Sequence, residues 1–224
     1  MNILTTGNSK IIKGEKLGFI TKGIHLAPAN LSGYETCRWR SKGCTASCLN
    51  TAGRGRMETI QKSRIKKTKW FYEDRDSFLD KLDSEVESSD RLATKKDMEL
   101  CLRLNLTSDV LWEDTGIMHK WTYLRFYDYT KSFKRMKAFL DGQLPPNYHL
   151  TFSRSETNHK LCKLVLEMGG NVAAVFRDEL PDEYEEYEVI NGDEHDLRFK
   201  DKKNVWVGLI EKGLAKKDET GFVL

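Results

Sequence analysis

The chain has 224 residues, 39% of them hydrophobic and 32% charged, with a formal net charge of +3 at pH 7. These proportions exclude a disordered chain and a bilayer-embedded one, and the length fits one domain over 1–224 with a substantial core. The N-terminal stretch Met1 to Gly7 lacks the basic-then-apolar order of a signal peptide, and no apolar run is long enough to span a bilayer. No membrane partner and a cytoplasmic location are therefore expected.

Along the chain, short apolar runs alternate with longer amphipathic ones. Residues 18–26 predict a first strand, and a loop carrying Cys37, Cys44 and Cys48 follows. The stretch 57–87 reads as one or two helices, with Ile60, Phe71, Phe78, Leu82 and Val86 recurring on shared faces. Strands are predicted over 100–106 and 124–129, and a helix over 131–141 that Gly142 and the Pro145-Pro146 pair end. The second half repeats the scheme: a strand over 149–152, a helix over 158–168 stopped by Gly169-Gly170, and strands over 171–176, 187–190 and 204–209. This alternation predicts an α/β fold, a partial or small βα barrel of mainly parallel strands with a cysteine-bearing loop after the first strand. The apolar Phe222-Val223-Leu224 suggests that the segment from Lys212 onward folds back over the barrel.

The cysteine loop is the most informative feature. Thiolates are strong soft ligands, and three from one loop suit a metal or an iron–sulfur cluster with one position left open. In a cytoplasmic chain the five cysteines are expected to be reduced, which favours such a role over disulfides. The C-x6-C-x3-C spacing matches neither zinc ribbons nor deaminases. A [4Fe–4S] cluster is preferred and zinc is the alternative, with His25, Cys101, His119 and His195 open as a fourth ligand. Cys101 and Cys162 lie in apolar patterns and are expected to pack. Arg38, Arg40 and Lys42 are expected to lower the thiol pKa values.

Each predicted strand is followed by a polar cluster, at the end where βα folds build their sites. Asn105, Asp109, Tyr127, Asp128 and Lys131 are the candidate catalytic residues; Arg154, Glu156 and Arg177 are the candidate cofactor-binding ones. Cations such as Lys131, Arg154 and Arg177 oppose the dipole of a following helix, which implies an anion beside them, either a ligand or a carboxylate. A small anionic or nucleotide ligand is the expected partner. A basic stripe of Arg54, Arg56, Lys62, Arg64, Lys66, Lys67 and Lys69 opens nucleic acid as another, with Trp39, Trp70 and Tyr72 available to stack on bases.

The element C-T-A-S-C-L-N-T-A-G-R-G over 44–55, R-I-K-K-T-K-W-F over 64–71, L-N-L-T-S-D over 104–109 and F-Y-D-Y-T-K-S over 126–132 resemble a family of bacteriophage-encoded proteins. So do D-L-R-F over 196–199 and G-L-I-E-K-G over 208–213. That resemblance implies the cytoplasm of an infected host and brings no activity with it. In layout the chain is also similar to radical S-adenosylmethionine enzymes, which place three cysteines after the first strand of a partial βα barrel. This similarity implies a cluster on Cys37, Cys44 and Cys48 whose open iron binds S-adenosylmethionine. The chain departs from that family in its cysteine spacing, which is usually C-x3-C-x2-C, and in lacking Gly-Gly-Glu after the second strand. The favoured expectation is an enzyme of this kind acting on an anionic substrate; the alternative is a zinc-containing nucleic-acid-binding module without activity.

Overall fold

The computed structural model describes residues 1–5 and 12–224, so Thr6 and Gly7 of the stretch read for a signal peptide lie outside the described residues. A short β1 (Leu4–Thr5) pairs antiparallel with β2 (Phe19–Ile24). After β2 come the cysteine loop with its short α1 (Lys42–Ala46), then α2 (Glu58–Glu73) and α3 (Arg75–Lys95). The chain continues through β3 (Glu99–Arg103), α4 (Ile117–Lys120), β4 (Arg125–Thr130), α5 (Phe133–Leu140), β5 (Tyr148–Ser153) and α6 (His159–Glu167). It ends with β6 (Val172–Phe176), β7 (Glu183–Tyr184), β8 (Tyr187–Asn191) and β9 (Trp206–Ile210).

These nine strands form one sheet in the order β1-β2-β3-β4-β5-β6-β9-β8-β7. Every pairing from β2 through β6 and β9 to β8 is parallel, and only the two edge pairs are antiparallel. The expected α/β class is therefore what the chain adopts, as an open sheet compatible with a partial barrel and not closed into a full one. β1 and β7 were not foreseen, since two-residue strands carry no alternation to read. Because β1 precedes it, the strand before the cysteines is the second in the chain, though the first of the parallel run. The strand predicted over 100–106 stops at Arg103, where the backbone turns into the site.

The sheet has two unlike faces because side chains alternate along each strand. On one face the helices bury their stripes. In α3, Phe78, Leu82, Val86, Ser89 and Ala93 recur at intervals of three and four residues and are buried. They join Leu102, Phe126, Leu150, Phe152 and Trp206 in the main core, with Cys162, Val165 and Leu166 of α6. Asp74 opens α3, its carboxylate accepting the N–H of Ser77 at 3.3 Å, and Ser132 opens α5 by accepting the N–H of Arg135 at 3.3 Å. On the other face Phe19, Cys101 and Tyr127 pack with Leu197 and Phe199. There Tyr127 donates to Thr21 at 3.3 Å, and Arg103 pairs with Asp196 at 2.7 Å. Among the described residues no helix is long and apolar enough to cross a membrane.

Candidate functional site

The cysteine loop leaves β2 at the carboxyl edge of the sheet and is tied back to that edge strand by strand. The hydroxyl of Thr36 donates to the carbonyl of Ala27 at 2.7 Å, and the N–H of Asp109, beyond β3, donates to the carbonyl of Thr36 at 2.8 Å. Between these anchors the Cys37 sulfur lies 3.8 Å from the carbonyl oxygen of Thr107. Thr107 in turn donates its hydroxyl to Leu26 at 2.6 Å and meets the His25 ring at 3.3 Å. Cys44 sits in α1, which Ser41 opens by accepting the Cys44 N–H at 3.1 Å. From beyond β5, Glu156 accepts the Ser41 hydroxyl at 2.6 Å and the Gly43 N–H at 2.8 Å. The Cys48 sulfur faces the Asn50 N–H at 3.5 Å, and Asn50 is held by Gln61 and by the buried Arg64 of α2.

Burial dominates the electrostatics of this loop. It pushes the Cys37 thiol up to about 11, and it raises Cys48 as well, with repulsion from the nearby Cys44 adding to it. The expectation that Arg38, Arg40 and Lys42 depress these thiols fails for a physical reason. Arg40 is engaged by Glu35 at 3.0 Å, and Arg38 and Lys42 point into solvent, where their charge is screened. His25 is pushed down to about 3, by burial first and then by Arg64, Lys67 and Arg103, so its ring stays neutral. Among the described residues no three His, Cys, Asp or Glu side chains converge as ligands of a single ion do.

The other candidates fall into three groups. Asn105 and Asp128 are buried, Asp109 is partly buried, and the three shape the turn after β3. The Asn105 N–H donates to Asp128 at 2.7 Å, and the Asn105 side-chain oxygen accepts Ser108, Val110 and Trp112. Asp128 points toward the helices, where Tyr148 donates to it at 3.1 Å, and burial lifts its carboxyl to about 7. Asp109 accepts the Lys131 N–H at 2.9 Å and pairs with Arg135. Tyr127 lies within the opposite face described above. Lys131 alone of the catalytic candidates presents a charged tip at the carboxyl edge, its Nζ donating to Ser153 at 2.7 Å and standing 5.6 Å from the Phe222 ring.

Arg154 and Arg177 find their partners inside the chain, and those partners are carbonyls of the segment 212–224. Arg154 donates to Gly221 at 2.9 Å and Phe222 at 3.0 Å; Arg177 donates to Lys216 at 3.2 Å and Asp218 at 2.8 Å. The segment folds back as expected, extending β6 through a bridge between Val175 and Val223 and reaching the cysteine loop where Ser47 meets Asp218 at 3.4 Å. Glu156 binds α1 instead of facing a ligand.

The basic stripe also divides. Arg64 and Lys67 are buried, so they are corrected from surface contacts to internal ones, Lys67 donating to the Ile3 carbonyl at 3.4 Å. Lys62 is paired with Glu58 at 2.6 Å, whereas Arg54, Arg56, Lys66 and Lys69 are exposed. Trp70 and Tyr72 pack against the core, Tyr72 stacking on Tyr34 at 4.7 Å. Sequence reasoning missed Arg135, which binds Asp109, Glu113 and Tyr148 from within α5. It also missed Ser41, although a serine three residues before Cys44 carries the signature of a helix start.

The family model described as Gene product 88 matches residues 2–224, in agreement with the resemblance to phage-type proteins. No curated protein and no solved structure matches the chain.

Proposed function

The chain belongs to the Gene product 88 family, and from that premise we propose that it is an iron–sulfur enzyme, laid out like the radical S-adenosylmethionine enzymes. The observation that carries the reading is the position of the three thiols. Cys37, Cys44 and Cys48 lie on one loop that leaves the first strand of a parallel βα run, at the edge where such folds place their chemistry. Ligands of one zinc ion must approach a common point to about 2.3 Å, whereas the thiolates of a cluster each bind a different iron and need not converge. We assign the three thiols of this loop to the second arrangement.

Bound there, a [4Fe–4S] cluster supplies one-electron reduction and an iron open to a cofactor such as S-adenosylmethionine. The chain's own residues do the rest. Glu156 and Ser41 orient α1, and Thr36 and Asp109 fix the start of the loop. The carbonyl of Thr107, whose hydroxyl meets the neutral His25 ring, borders Cys37 without adding charge. Of Lys131, Arg154 and Arg177, Lys131 is the one left to receive an anionic group of the substrate, since the two arginines are engaged by the 212–224 segment. A phage-type chain of this kind works in the cytoplasm of its host, where thiols stay reduced.

The test is iron, zinc and acid-labile sulfide content, with the visible spectrum, on protein purified without oxygen. About four irons and four sulfides per chain support the reading, and S-adenosylmethionine cleavage under reducing conditions is then assayed. Absence of iron after anaerobic reconstitution overturns it. One zinc without sulfide selects the binding module instead.

A further inference from the structure

The surface around the cysteine loop is basic, and its cations come from segments far apart in sequence. Arg38 precedes α1 and Lys42 begins it, and Arg54 and Arg56 follow Cys48 in a short 3-10 turn. Lys66 and Lys69 continue along α2, on a face shared with Ile65 and Trp70. Lys216 and Lys217 arrive from the 212–224 segment, which packs on the turn after Cys48 closely enough that a Cβ on Gly213 would stand 2.9 Å from Ala52. All eight are exposed, and among the described residues none of them forms an ion pair. Some of the neighbouring acids are engaged within the chain. Glu35 is taken by Arg40, Glu58 by Lys62, and Asp218 accepts Thr220 and Val223.

Unpaired like charges repel one another, so concentrating them on one face costs stability unless a polyanion meets them. The shape of the field indicates which one. Its α2 arm is Lys66 and Lys69, less than one helical turn apart, and Arg54 and Arg56 precede them along the chain, a succession of cations that suits the repeated charges of a phosphodiester backbone. Beside Cys37, where the loop meets the corner between α2 and α3, lies a cavity of about 230 Å³ whose lining carries Trp39 and Tyr72, the cations Arg38 and Arg75, and the acids Glu35, Asp109 and Asp114. It is smaller than the roughly 300–1,000 Å³ of sites that enclose a drug-sized ligand. One flat ring fits it, with an aromatic wall to stack on and guanidinium groups for the adjoining phosphate. A base can enter such a cavity only when it is unstacked.

We infer that the partner acted on at this site is a single-stranded nucleic acid, its backbone held by the cations around the cysteine loop and one base in the cavity beside Cys37. The inference rests on the iron–sulfur reading for what happens to the bound strand, but not for the binding itself.

The test is fluorescence anisotropy of a fluorescein-labelled single-stranded oligonucleotide titrated with the full chain at rising potassium chloride. Affinity is expected to fall linearly on a log–log plot, and Arg54→Ala with Arg56→Ala to reduce the slope by roughly 0.7 per lost phosphate contact. Lys66→Ala with Lys69→Ala is expected to do the same, and it serves if the first pair fails to fold. Lys95→Ala with Lys96→Ala, at the far end of α3, is expected to leave the slope unchanged. Trp39→Ala is expected to weaken binding about 5- to 100-fold without changing the slope. No binding at low salt overturns the inference, as does a slope indifferent to both basic pairs. So does uptake onto phosphatidylserine vesicles that the oligonucleotide cannot reverse, which assigns the surface to lipid. Iron and sulfide are measured on the same preparations. A chain with its cluster but no oligonucleotide affinity loses this inference alone, and one that binds as described without iron loses only the enzyme reading.

Discussion

The carboxylate of Glu156 accepts the N–H of Gly43 at 2.8 Å, so the loop after β5 grips the helix that carries Cys44. The grip spans 113 residues of sequence and joins two parts of the carboxyl edge that β3 and β4 separate.

Glu156→Ala removes that acceptor and leaves Gly43 and Ser41 without it. A hydrogen bond to a charged group contributes about 1.5–3 kcal/mol, and partial exposure here places the expected loss near about 1 kcal/mol. Faster amide exchange over 41–48 should accompany it. Burial alone would raise the Glu156 carboxyl, but the bonds from Ser41 and Gly43 outweigh it and hold the group below its ordinary range. The sign follows: the stabilisation is complete above the ordinary carboxylate pKa and is lost as pH falls through the lowered value. Urea midpoints of the native chain and the alanine variant should therefore converge in acid. A constant gap would show that the grip is not ionic.

Gly43 is the hinge point between the loop and the 212–224 segment. A Cβ there would overlap the Thr220 hydroxyl and lie 2.8 Å from both Glu156 Oε2 and Phe222 Cβ. Gly43→Ala is expected to cost about 1–3 kcal/mol through overpacking. It should also lift the segment, so that trypsin cuts at Lys216 and Lys217 sooner than in the native chain. Unchanged cleavage there would mean that the segment is held by Arg154 and Arg177 alone.

Arg135 balances two carboxylates, Asp109 and Glu113, and donates to Tyr148 at 2.9 Å. Arg135→Met would leave those largely buried carboxylates without their cation. The expected destabilisation is about 3–5 kcal/mol by urea unfolding, the range for breaking one side of a buried pair. A loss below about 1 kcal/mol would show that Asp109 and Glu113 are satisfied by their other donors.

Asp128 supplies the clearest pH dependence. Burial is the largest cause of its rise to about 7, against the partial relief that Arg103 provides. The folded chain therefore holds a proton that the unfolded chain releases near the ordinary carboxylate pKa of about 4. Stability contributed by the protonated group is complete below that value and falls until pH reaches about 7. Asp128→Asn should flatten this decline between about pH 4 and about pH 7. If both chains lose stability equally over that interval, another group is responsible.

The local periods of the chain made its elements legible. Intervals of three and four in Phe78, Leu82, Val86 and Ala93 state a helix face, and the β-like runs of 124–129 and 171–176 state strands, because both patterns follow from backbone geometry within a few residues. The cysteine loop was legible for a chemical reason: three thiols in so short a stretch are costly to keep without a use. What each charge touches was not legible. Arg64 and Lys67 look like their exposed neighbours Lys66 and Lys69, yet α2 turns them inward to Asn50 and Ile3. Arg154 and Arg177 looked like ligands for a foreign anion, and their partners proved to be carbonyls of the 212–224 segment.

Asp128 follows the same rule. Its place at the end of a predicted strand suggested a catalytic group, but alternation along β4 turns it to the helices and Tyr127 to the opposite face. The sequence by itself determined the longer helices, most of the strands and the position of the thiols, since each is written in nearby residues, and their alternation implied a mainly parallel sheet. The tertiary structure alone decided which cations remain free around those thiols. Burial and pairing depend on side chains brought together from distant segments, and no local pattern records them.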